Sequence, residues 1–591
     1  MTTHIHDAIG GGRFLVQSVP TDEVFTREEL TEEQRLFGQT AAEFMRHEVV
    51  PREAALYAHD WALTRQLLRK AADLDLTRLE IPATYGGLGL DKISAAYVGE
   101  QIAINPSFAG SLGAHTSIGT LPLVYFGTDQ QKAKYLPRLA STELVGAYAL
   151  TEPQSGSDAL AARSTAVLTP DGRHYLLNGQ KAWITNGAFA DLFTIFAKVD
   201  GERFTAFLVE RGMGVASGPD EKKLGLDGSS TTVLMLDNVK VPVENVLGTI
   251  GEGHKVAFNI LNLGRVKLGT RNIAGVRQAL ERAVRYARER RQFGHAIAEF
   301  GLIKQKLGEI AVRCYVGDAM VYRALGDVDR ALAAVDAADA GRVLKTIETF
   351  AVECSINKVW TSEALAFAVD EAVQVFGGNG YSREFSVERA YRDARITRIY
   401  EGTNEINRLI IPTRLLKQSP ELFTADAARQ ALADRPPEGS RDASRGAAGP
   451  LAAGREVLAR AKRLAIAALG SAADVYGADL KDEQEVLGHA ADIVSETYAV
   501  ESALVRTEKL VAAHDTERGS VAVDIATVYA SDAADRLAHS GKQIAAALAA
   551  RGAGAPLVGL VHDLATHAGV DTIAARRRIA DAVIQAGRHP F

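Results

Sequence analysis

Cysteine is scarce in this chain. Only Cys314 and Cys354 occur among its 591 residues. Two thiols are too few for a disulfide framework or for a structural zinc cluster built on cysteine. The composition therefore indicates a reducing compartment, and no metal site is predicted.

Long apolar segments and an excess of positive charge are also missing. No stretch approaches the roughly 18 consecutive apolar residues of a membrane-spanning helix. The opening MTTHIHDAIGGG lacks the basic and apolar regions of a signal peptide. Lys and Arg number 67 against 73 Asp and Glu, and the net charge of −6 provides no general attraction for nucleic acid. We expect a cytoplasmic protein without a nucleic-acid partner.

What the chain contains is typical of a folded protein of several domains. Hydrophobic residues make up 47% and charged residues 24%, which is the balance of an ordinary globular protein. The length is several times the usual domain size of about 100 to 200 residues. More than one packed unit with a sizeable core is therefore expected.

The first part of the chain, residues 1–147, is predicted to be an N-terminal helical domain. Thr26–Glu29 and Thr31–Gln34 both fit the capping box, in which a threonine hydroxyl and a Glu or Gln three residues later satisfy each other's free N–H groups. Apolar residues then recur at helical spacing. Helices are expected to begin at both boxes.

The hydrophobic period changes in residues 148–252, which are predicted to form a β-barrel-like middle domain. Asn178-Gly179 lies between two apolar runs, and Asp200-Gly201 repeats the pattern. Such pairs favour tight hairpin turns because both positions need positive φ. Each pair is therefore predicted to connect two strands.

The remaining chain returns to helical patterns. Residues 253–430 are predicted to form a helical bundle, 431–454 a linker rich in Pro, Gly and Ser, and 455–591 an additional C-terminal helical domain. The predicted fold class is mainly α with a central β domain.

The segment YALTEPQSGSDA (148–159) lies where helices give way to strands. A loop of small residues can offer backbone N–H groups and hydroxyls to a phosphate. A turn stabilised by Ser and Asp side chains is the alternative, and the loop alone does not decide between them.

Five motifs follow one another in a fixed order. They are TEPQSGSD (151–158), WITNG (183–187), RQFG (291–294), QVFGGNGYSRE (374–384) and RIYEGTNEINRLIIP (398–412). The series resembles the acyl-CoA dehydrogenase family, flavoproteins that introduce a trans double bond between the α and β carbons of acyl-CoA thioesters. The resemblance covers roughly residues 20–420 and agrees with the helix–β–helix pattern.

Further segments resemble the very-long-chain branch of that family. LGAHTSIG (112–119), FGLIKQKL (300–307) and the helical unit after the linker carry this resemblance. Members of the branch form homodimers, so a homodimer is expected.

The chemistry implied by the resemblance needs a base for the α proton and an acceptor for the β hydride. Glu401 matches the base of most members, and a carboxylate in a dry pocket suits the task because desolvation raises its pKa. An ordinary carboxylate at a helix start is the alternative. In some branches a glutamate on another helix serves instead, but the matching residue here is Gly264.

The resemblance also implies FAD as cofactor and assigns residues to it. The implied FAD contacts are Tyr148, Leu150, Thr151, Gly156, Ser157, Trp183, Ile184, Thr185, Arg290, Gln292, Phe293, Gln374, Gly377, Gly378, Thr403 and Glu405. In the family, Arg290 and its neighbours reach the FAD of the other subunit. The implied acyl-CoA contacts are Ser157, Asn262, Arg265, Tyr400, Glu401 and Gly402. An ion pair on a helix surface or at an interface is the alternative for Arg265. A helix-connecting turn is the alternative for Gly377 and Gly378, and a half-buried strand aromatic for Trp183.

The segment 455–469, REVLARAKRLAIAAL, predicts an amphipathic helix. Its apolar residues lie on one face and its basic residues lie off that face. Such a helix can lie on an anionic membrane surface, which would place the protein peripherally on the inner membrane. The alternative is a helix packed against its own domain.

The sequence thus predicts an FAD-dependent acyl-CoA dehydrogenase of fatty-acid β-oxidation, with long- or very-long-chain substrates and electron-transfer flavoprotein as the acceptor. Two alternatives stay open at this point. One is an acyl-CoA oxidase, which passes electrons to oxygen. The other is a binding or assembly protein that retains the fold.

Overall fold

The computed structural model describes residues 10–17, 19–336, 339–433, 449–513, 516–566 and 570–591. Its residues form two compact units, each described by itself below. The sheet unit comprises Leu30–Ala274 and Leu332–Glu348, and the helical unit comprises Met1–Glu29, Gly275–Ala331 and Thr349–Phe591.

The sheet unit begins with seven α-helices in the part of the chain described. These are α1 (Glu32–Phe44), α2 (Glu53–Tyr57), α3 (Trp61–Asp73), α4 (Lys92–Ile102), α5 (Pro106–Gly113), α6 (Leu121–Phe126) and α7 (Asp129–Ala140). The box predicted at Thr31–Gln34 is confirmed, because Gln34 N–H donates to the Thr31 hydroxyl (3.2 Å) and Thr31 N–H to the Gln34 side chain (2.9 Å). At Thr26–Glu29 the Glu29 carboxylate also accepts the Thr26 N–H (2.7 Å), but only a 3-10 turn (Arg27–Glu29) forms there. The helix expected there is therefore not formed.

One sheet occupies the middle of this unit. Its strands are β1 (Gly146–Ala149), β2 (Thr165–Leu168), β3 (His174–Thr185), β4 (Leu192–Val199), β5 (Arg203–Glu210), β6 (Ala216–Asp220), β7 (Thr231–Pro242) and β8 (Val246–Leu247). The order is β6-β7-β3-β2-β4-β5-β8, with β1 alongside β4. Strands β1 and β2 run parallel to β4, and the other pairs are antiparallel.

Strand β4 is buried on both faces, which explains its unbroken apolar sequence. Phe193 and Ile195 point into one hydrophobic core together with helices α1 and α3. Leu192 and Phe196 point into a second core with helix α7. Because successive side chains of a strand alternate between faces, this one strand joins both cores.

The hairpin predicted at Asn178-Gly179 is wrong, because both residues lie inside the long strand β3. The pairing of β3 with β7 shifts between Leu177 and Gly179, as in a β-bulge. A Cβ at Gly179 would overlap the side chain of Ser164 on the neighbouring segment. Glycine is needed here for close approach and for its φ of 147°, not for a reversal of the chain.

The turn predicted at Asp200-Gly201 is confirmed. The two residues follow β4, and β5 begins at Arg203, which pairs with Val199. Their φ angles are 54° and 79°, the positive values that a tight hairpin requires.

Helix α8 (Gly253–Glu289) begins in the sheet unit, and residues 275–289 belong to the helical unit. The later helices are α9 (Gly301–Ala333), α10 (Ala340–Thr349), α11 (Ala351–Phe376), α12 (Ser386–Ala394), α13 (Asn404–Gln418), α14 (Ala425–Ala433), α15 (Ala452–Tyr476), α16 (Gln484–Ala512), α17 (Thr516–Ala549), α18 (Leu557–Ala565) and α19 (Thr572–Ala586). A short ribbon of β9 (Arg291–Gln292) and β10 (His295–Ala296) follows α8. The predicted fold class, mainly helical with a central β domain, is confirmed.

The predicted domain boundaries remain predictions. Residues 434–448 of the predicted linker lie outside the described residues. Within the described ranges, no helix is both long enough and apolar enough to cross a membrane.

The apolar face of segment 455–469 is buried inside the helical unit. Helix α15 carries this segment and packs against α14, α16 and α17. The residues of this segment that are at most 2% exposed are Val457, Ala461, Leu464, Ala465, Ala467, Ala468 and Leu469. The basic residues bind protein groups as well, for example Arg455 to Glu508 (2.8 Å) and Lys462 to Glu501 (2.5 Å). Packing against its own domain therefore accounts for this helix, whose apolar face is not available to a membrane surface.

Replacing Gly179 by Ala should destabilise the protein by about 1–3 kcal/mol, because the added methyl group overlaps Ser164 in a backbone conformation that disfavours a side chain. The midpoint of urea unfolding measures the effect. Gly212→Ala is the matched control, since a Cβ there meets no described atom within 4 Å. Equal midpoints for the two variants would show that the close approach at Gly179 is unimportant.

Candidate active site

The loop 150–158 is closed on itself and fastened to the sheet by Glu152. Glu152 and Ser155 exchange both backbone hydrogen bonds (3.0 Å each). The Glu152 carboxylate accepts the backbone N–H groups of Arg163 (2.6 Å) and Ser164 (3.1 Å) and the ammonium of Lys181 (2.7 Å). Lys181 lies on β3, so the loop and this strand are held together by a charged contact.

The Glu152–Lys181 pair is fully buried, with side-chain exposures of 1% and 0%. Burial disfavours the carboxylate charge, but Lys181 and the two N–H donors outweigh this effect and hold the pKa of Glu152 below its ordinary value. Burial likewise lowers the pKa of Lys181. Neither charge is tolerable without the other, because an unpaired ion in the protein interior is very costly.

Trp183 is presented on a bulge next to this loop. The β3–β7 register shifts between Lys181 and Ile184, and Ala182 donates its N–H to the carbonyl of Thr151 (2.9 Å). Trp183 has a φ of 61°, a left-handed conformation that a bulky residue rarely adopts and that costs about 1–3 kcal/mol. Its side chain is 59% exposed, so the strained backbone holds a large flat aromatic surface outward.

The predicted residues of segment 148–157 and of β3 differ in their exposure. Gly156 and Ser157 are exposed, whereas Leu150, Thr151 and Thr185 are half-buried. Ile184 and Tyr148 are buried, at 2% and 8% exposure, and the Tyr148 ring packs edge-on against Phe196 (5.2 Å). The site thus combines an exposed indole with backbone and hydroxyl donors from a glycine-serine loop.

Asn262 and Arg265 lie on helix α8 in the same unit. Both are buried, at 4% and 5% exposure, and the guanidinium of Arg265 donates to the Asn262 amide oxygen (2.9 Å). This burial excludes the helix-surface form of the alternative ion pair for Arg265, and it does not test the interface form. Gly264 between them is also buried.

Glu401 lies in a strained loop directly before helix α13 of the helical unit. Its φ is 59°, and Gly402 follows with a φ of 81°. Thr403 caps the helix by accepting the N–H of Ile406 (3.2 Å). Glu401 is half-buried, and its Oε2 atom is inaccessible to solvent. Two left-handed residues in a row thus set the direction of this carboxylate.

Asn407 holds the Glu401 loop from inside helix α13. Its side-chain amide is directed at the carbonyls of Gly402 (2.8 Å), Thr403 (3.0 Å) and Glu401 (3.4 Å), and the residue is 0% exposed. One buried side chain therefore fixes the whole turn.

The start of helix α13 is braced by a second network. Lys358 donates to the Asn404 amide oxygen (2.6 Å), and Asn404 donates to Glu363 (3.0 Å). Arg408 binds both oxygens of Glu363 (2.7 and 3.0 Å) and one of Asp492 (2.8 Å). Bidentate arginine pairs are geometrically strict, so the helix end that carries Glu401 is held rigidly.

Tyr400, Thr403 and Glu405 surround this carboxylate along the chain. Tyr400 is 39% exposed, Gly402 and Thr403 are half-buried, and Glu405 is exposed. Backbone and Thr403 hydrogen bonds lower the pKa of Glu405.

The predicted residues after helices α8 and α11 are adjacent in the helical unit. Tyr286 stacks on Phe376 (4.0 Å) and accepts a hydrogen bond from Asn379 (3.0 Å). This contact joins the end of α8, where Arg290 begins the β9–β10 ribbon, to the Gln374–Gly378 turn. Arg290, Gln292, Gln374, Gly377 and Gly378 are exposed, and Phe293 is 91% exposed with a φ of 51°.

Sequence reasoning missed the residues that position the site. Glu152, Lys181 and Asn407 all lie within or next to the quoted motifs, but none was assigned a role. The sequence offers one signal for these residues. Lys181 stands at an inward position of an apolar strand, and a buried lysine requires a buried partner.

Four family models match this chain. Models described as the N-terminal, middle and C-terminal domains of acyl-CoA dehydrogenase match residues 31–143, 147–239 and 251–416. A further acyl-CoA dehydrogenase C-terminal domain model matches 460–553.

Similar proteins carry related descriptions. A probable acyl-CoA dehydrogenase of Bacillus subtilis is 45% identical over 546 residues, which is 91% of each chain. The human mitochondrial very long-chain specific acyl-CoA dehydrogenase is 43% identical over 344 residues, 56% of this chain and 50% of the relative. The crystal structure of an acyl-CoA dehydrogenase complexed with FAD from Bacillus anthracis has a TM-score of 0.94 at 40% identity, covering 99% of this chain and 100% of that one.

Replacing Lys181 by Met should destabilise the protein by about 3–5 kcal/mol, because it leaves the Glu152 carboxylate buried without its cation. The double variant Glu152→Gln/Lys181→Met removes both charges and should be more stable than the single variant. Lys255→Met, which breaks an exposed pair with Glu252, should leave the unfolding midpoint nearly unchanged. The ion-pair account fails if the double variant unfolds as easily as Lys181→Met.

Proposed function

The chain belongs to the acyl-CoA dehydrogenase family, and we propose that it oxidises long- or very-long-chain acyl-CoA to trans-2-enoyl-CoA in fatty-acid β-oxidation. The observation that carries the proposal is the geometry of Glu401. A half-buried carboxylate is held by two consecutive left-handed residues and a buried asparagine. Such strain is retained where the position of a side chain matters for function.

In the proposed reaction Glu401 removes the α proton of the thioester. A positioned general base contributes about 10²- to 10⁴-fold to the rate. Gly264 leaves α8 without a carboxylate at the position used in other branches, so Glu401 is proposed as the base. The backbone N–H of Glu401 is proposed to donate to the thioester oxygen, where negative charge develops.

The sheet unit fits FAD, the cofactor of this enzyme. The exposed indole of Trp183 offers a flat surface for an aromatic ring system. Gly156 leaves open space, since a Cβ there would meet no described atom within 4 Å, and Ser157 adds a hydroxyl. FAD, when bound, accepts the hydride from the β carbon. Trp183 and Thr185 would hold its ring and the 150–157 loop its polar groups.

The helical unit offers groups suited to the rest of the cofactor. Arg290, Gln292 and Phe293 lie on an exposed ribbon, and Phe293 is too exposed, at 91%, to be explained by packing within the chain. We propose that these three residues reach the FAD of a second copy in a homodimer. Gln374, Gly377, Gly378, Thr403 and Glu405 are proposed to hold the adenosine end.

Two finer parts of the proposal rest on similarity. The preference for long acyl chains is supported by the very long-chain specific relatives and by the additional C-terminal domain model at 460–553. Electron-transfer flavoprotein is proposed as the acceptor. An oxidase would instead reduce oxygen, and peroxide formed in air at the rate of substrate consumption would identify one.

The visible spectrum of the purified, FAD-loaded protein tests the proposed function. Adding palmitoyl-CoA without oxygen should bleach the flavin absorbance within the mixing time of the experiment, because reduction of the ring needs only the bound substrate. A flavin that stays oxidised with palmitoyl-CoA and with shorter acyl-CoA thioesters would refute the proposal.

Replacing Glu401 by Gln should lower the rate of flavin bleaching by about 10²- to 10⁴-fold, because the amide cannot accept the α proton. Bound FAD, counted from the spectrum, should be unchanged. Glu421→Gln, an exposed carboxylate in the 3-10 turn after α13, should bleach at the unaltered rate. Retention of full activity by Glu401→Gln would contradict the assignment of the base.

A further inference from the structure

Helix α13, which carries the proposed base just before its start, contacts helices α11 and α16 within the helical unit. Helix α16 belongs to residues 460–553, which match the further acyl-CoA dehydrogenase C-terminal domain model. This stretch is called the additional region below. The contact between α13 and α16 therefore bears on what the additional region does.

Arg408 of helix α13 uses all three of its guanidinium nitrogens in these contacts. Nη1 and Nη2 donate to the two carboxylate oxygens of Glu363 on α11 (2.7 and 3.0 Å). Nε donates to Asp492 on α16 (2.8 Å). A guanidinium is planar and its N–H groups point in fixed directions, so three such bonds determine its orientation. The place of Arg408 is thus set jointly by α11 and by the additional region.

Asp492 keeps its charge in an unfavourable place. Its side chain is 39% exposed. Partial burial raises the pKa of this carboxyl, and the negative charges of Glu363 and Glu496 act in the same direction against the attraction of Arg408. An uncharged residue at this position would avoid both effects. The property that distinguishes an aspartate here is its directed, charge-assisted bond to Arg408.

A second polar contact joins the same face of α16 to helix α11. The indole N–H of Trp360 on α11 donates to the Tyr529 hydroxyl (2.9 Å), and Tyr529 donates to Glu496 (2.7 Å). Arg536 binds both oxygens of Glu496 (2.8 and 2.9 Å). Glu496 follows Asp492 by four residues, so the two carboxylates lie on one face of α16. That face is therefore connected to both helices that surround the start of α13.

A displacement of Arg408 would reach the proposed base through its neighbour in the chain. Asn407 directly precedes Arg408, and its buried amide binds the carbonyls of residues 401–403. Because one helical turn carries both side chains, a shift of Arg408 also shifts the amide that fixes the Glu401 turn. A misplacement of about 1 Å in a catalytic group can cost about 10²-fold in rate.

We propose that Asp492 is a positioning residue, through which the additional region sets the place of helix α13 and thereby of the Glu401 carboxylate. Asp492 acts on Glu401 through Arg408 and Asn407, without contact to substrate or cofactor. The proposal rests on the acyl-CoA dehydrogenase activity proposed above, with Glu401 as the base. It gives a part in the reaction to a residue outside the stretches 31–143, 147–239 and 251–416 that match the other three family models.

The test follows flavin bleaching by palmitoyl-CoA in the FAD-loaded full chain without oxygen, over a range of substrate concentrations. Asp492→Ala should lower the maximal rate constant about tenfold, because a loosened base is held less often at reacting distance. The palmitoyl-CoA concentration that gives half of the maximal rate should be unchanged, since the residues proposed to bind acyl-CoA stay intact. Rates are counted per bound FAD, so that protein without its fold does not contribute.

Asp492→Asn separates the charge from the hydrogen bond. The amide keeps an oxygen acceptor for Arg408 Nε, and a neutral hydrogen bond is about half as strong as a charge-assisted one, so bleaching should slow only about threefold. If Asp492→Ala does not retain FAD, Asp492→Asn decides the question. An Asn variant that bleaches at the wild-type rate would then overturn the proposal.

Asp524 provides the matched control. It lies on α17 of the additional region, is 19% exposed in its side chain, and binds Arg578 of α19 through both carboxylate oxygens (2.8 and 2.5 Å). Asp524→Ala and Asp524→Asn remove an ion pair of the same kind but leave the Arg408 contact in place. Both variants should bleach at the wild-type rate.

A double variant tests the route through Arg408. Arg408→Lys keeps the charge, but a single ammonium cannot reproduce the fork of the guanidinium, so this variant should also slow bleaching. Adding Asp492→Ala should cause little further loss, because the two residues act through one contact. Losses that multiply in the double variant would contradict this route.

Two further results would overturn the proposal while bleaching of the wild type leaves the proposed function intact. One is a maximal rate constant for Asp492→Ala equal to that of Asp524→Ala. The other is an unchanged maximal rate with a raised half-saturating concentration, which would assign Asp492 to substrate binding. If no acyl-CoA bleaches the flavin of the wild type, the proposed function fails, and the role of Asp492 fails with it.

Discussion

The buried ion pair between Glu152 and Lys181 is the interaction on which the sheet unit's site depends. A carboxylate with 1% exposure would be intolerable alone, and here it is neutralised by one lysine and satisfied by two backbone N–H groups. Its partners come from the motif loop, from the segment after it and from the central strand β3. If the loop moved away from the strand, the Glu152 carboxylate and the Lys181 ammonium would be separated, and a charge would remain in the apolar interior without its partner. This cost opposes any displacement of the loop from β3.

Buried polar anchors of this kind also hold the two residues with strained backbones. Trp183 and Glu401 both adopt positive φ, and neither has the conformational freedom of glycine. Trp183 lies two residues after the Lys181 anchor, and Glu401 is held by the amide of Asn407 and by the braced start of helix α13. Strain persists only where the surrounding structure over-determines it. In both units a buried polar side chain provides that constraint. The family resemblance assigns Trp183 to FAD binding and Glu401 to the role of base.

Sequence patterns predicted the fold class because period and capping are local properties. The box at Thr31 and the turn at Asp200-Gly201 needed only neighbouring residues, and both are as predicted. The hairpin prediction at Asn178-Gly179 is wrong because the same dipeptide also occurs at a β-bulge. There the close approach of Ser164 from another segment requires the glycine. The roles of Glu152 and Lys181 likewise depend on a contact between segments that no local pattern encodes, whereas Asn407 bonds carbonyls only four to six residues before it. Glu401 is predicted as the base only through the order of the motifs, since its helix-start position alone has an ordinary electrostatic explanation.

The motifs do not determine which acyl chain a member of this family prefers. The motif residues position groups that every substrate of the family shares, so they carry no information about the far end of the acyl chain. Lys267 and Arg271 lie on α8 shortly after Arg265, and they line a cavity of about 40 Å³ in the sheet unit. Because Gly99 and Gly113 make the space that Arg271 fills, the character of the cavity is set by pairs of residues on different helices. A change at any one of them would alter the size or charge of this interior space while every motif stays intact.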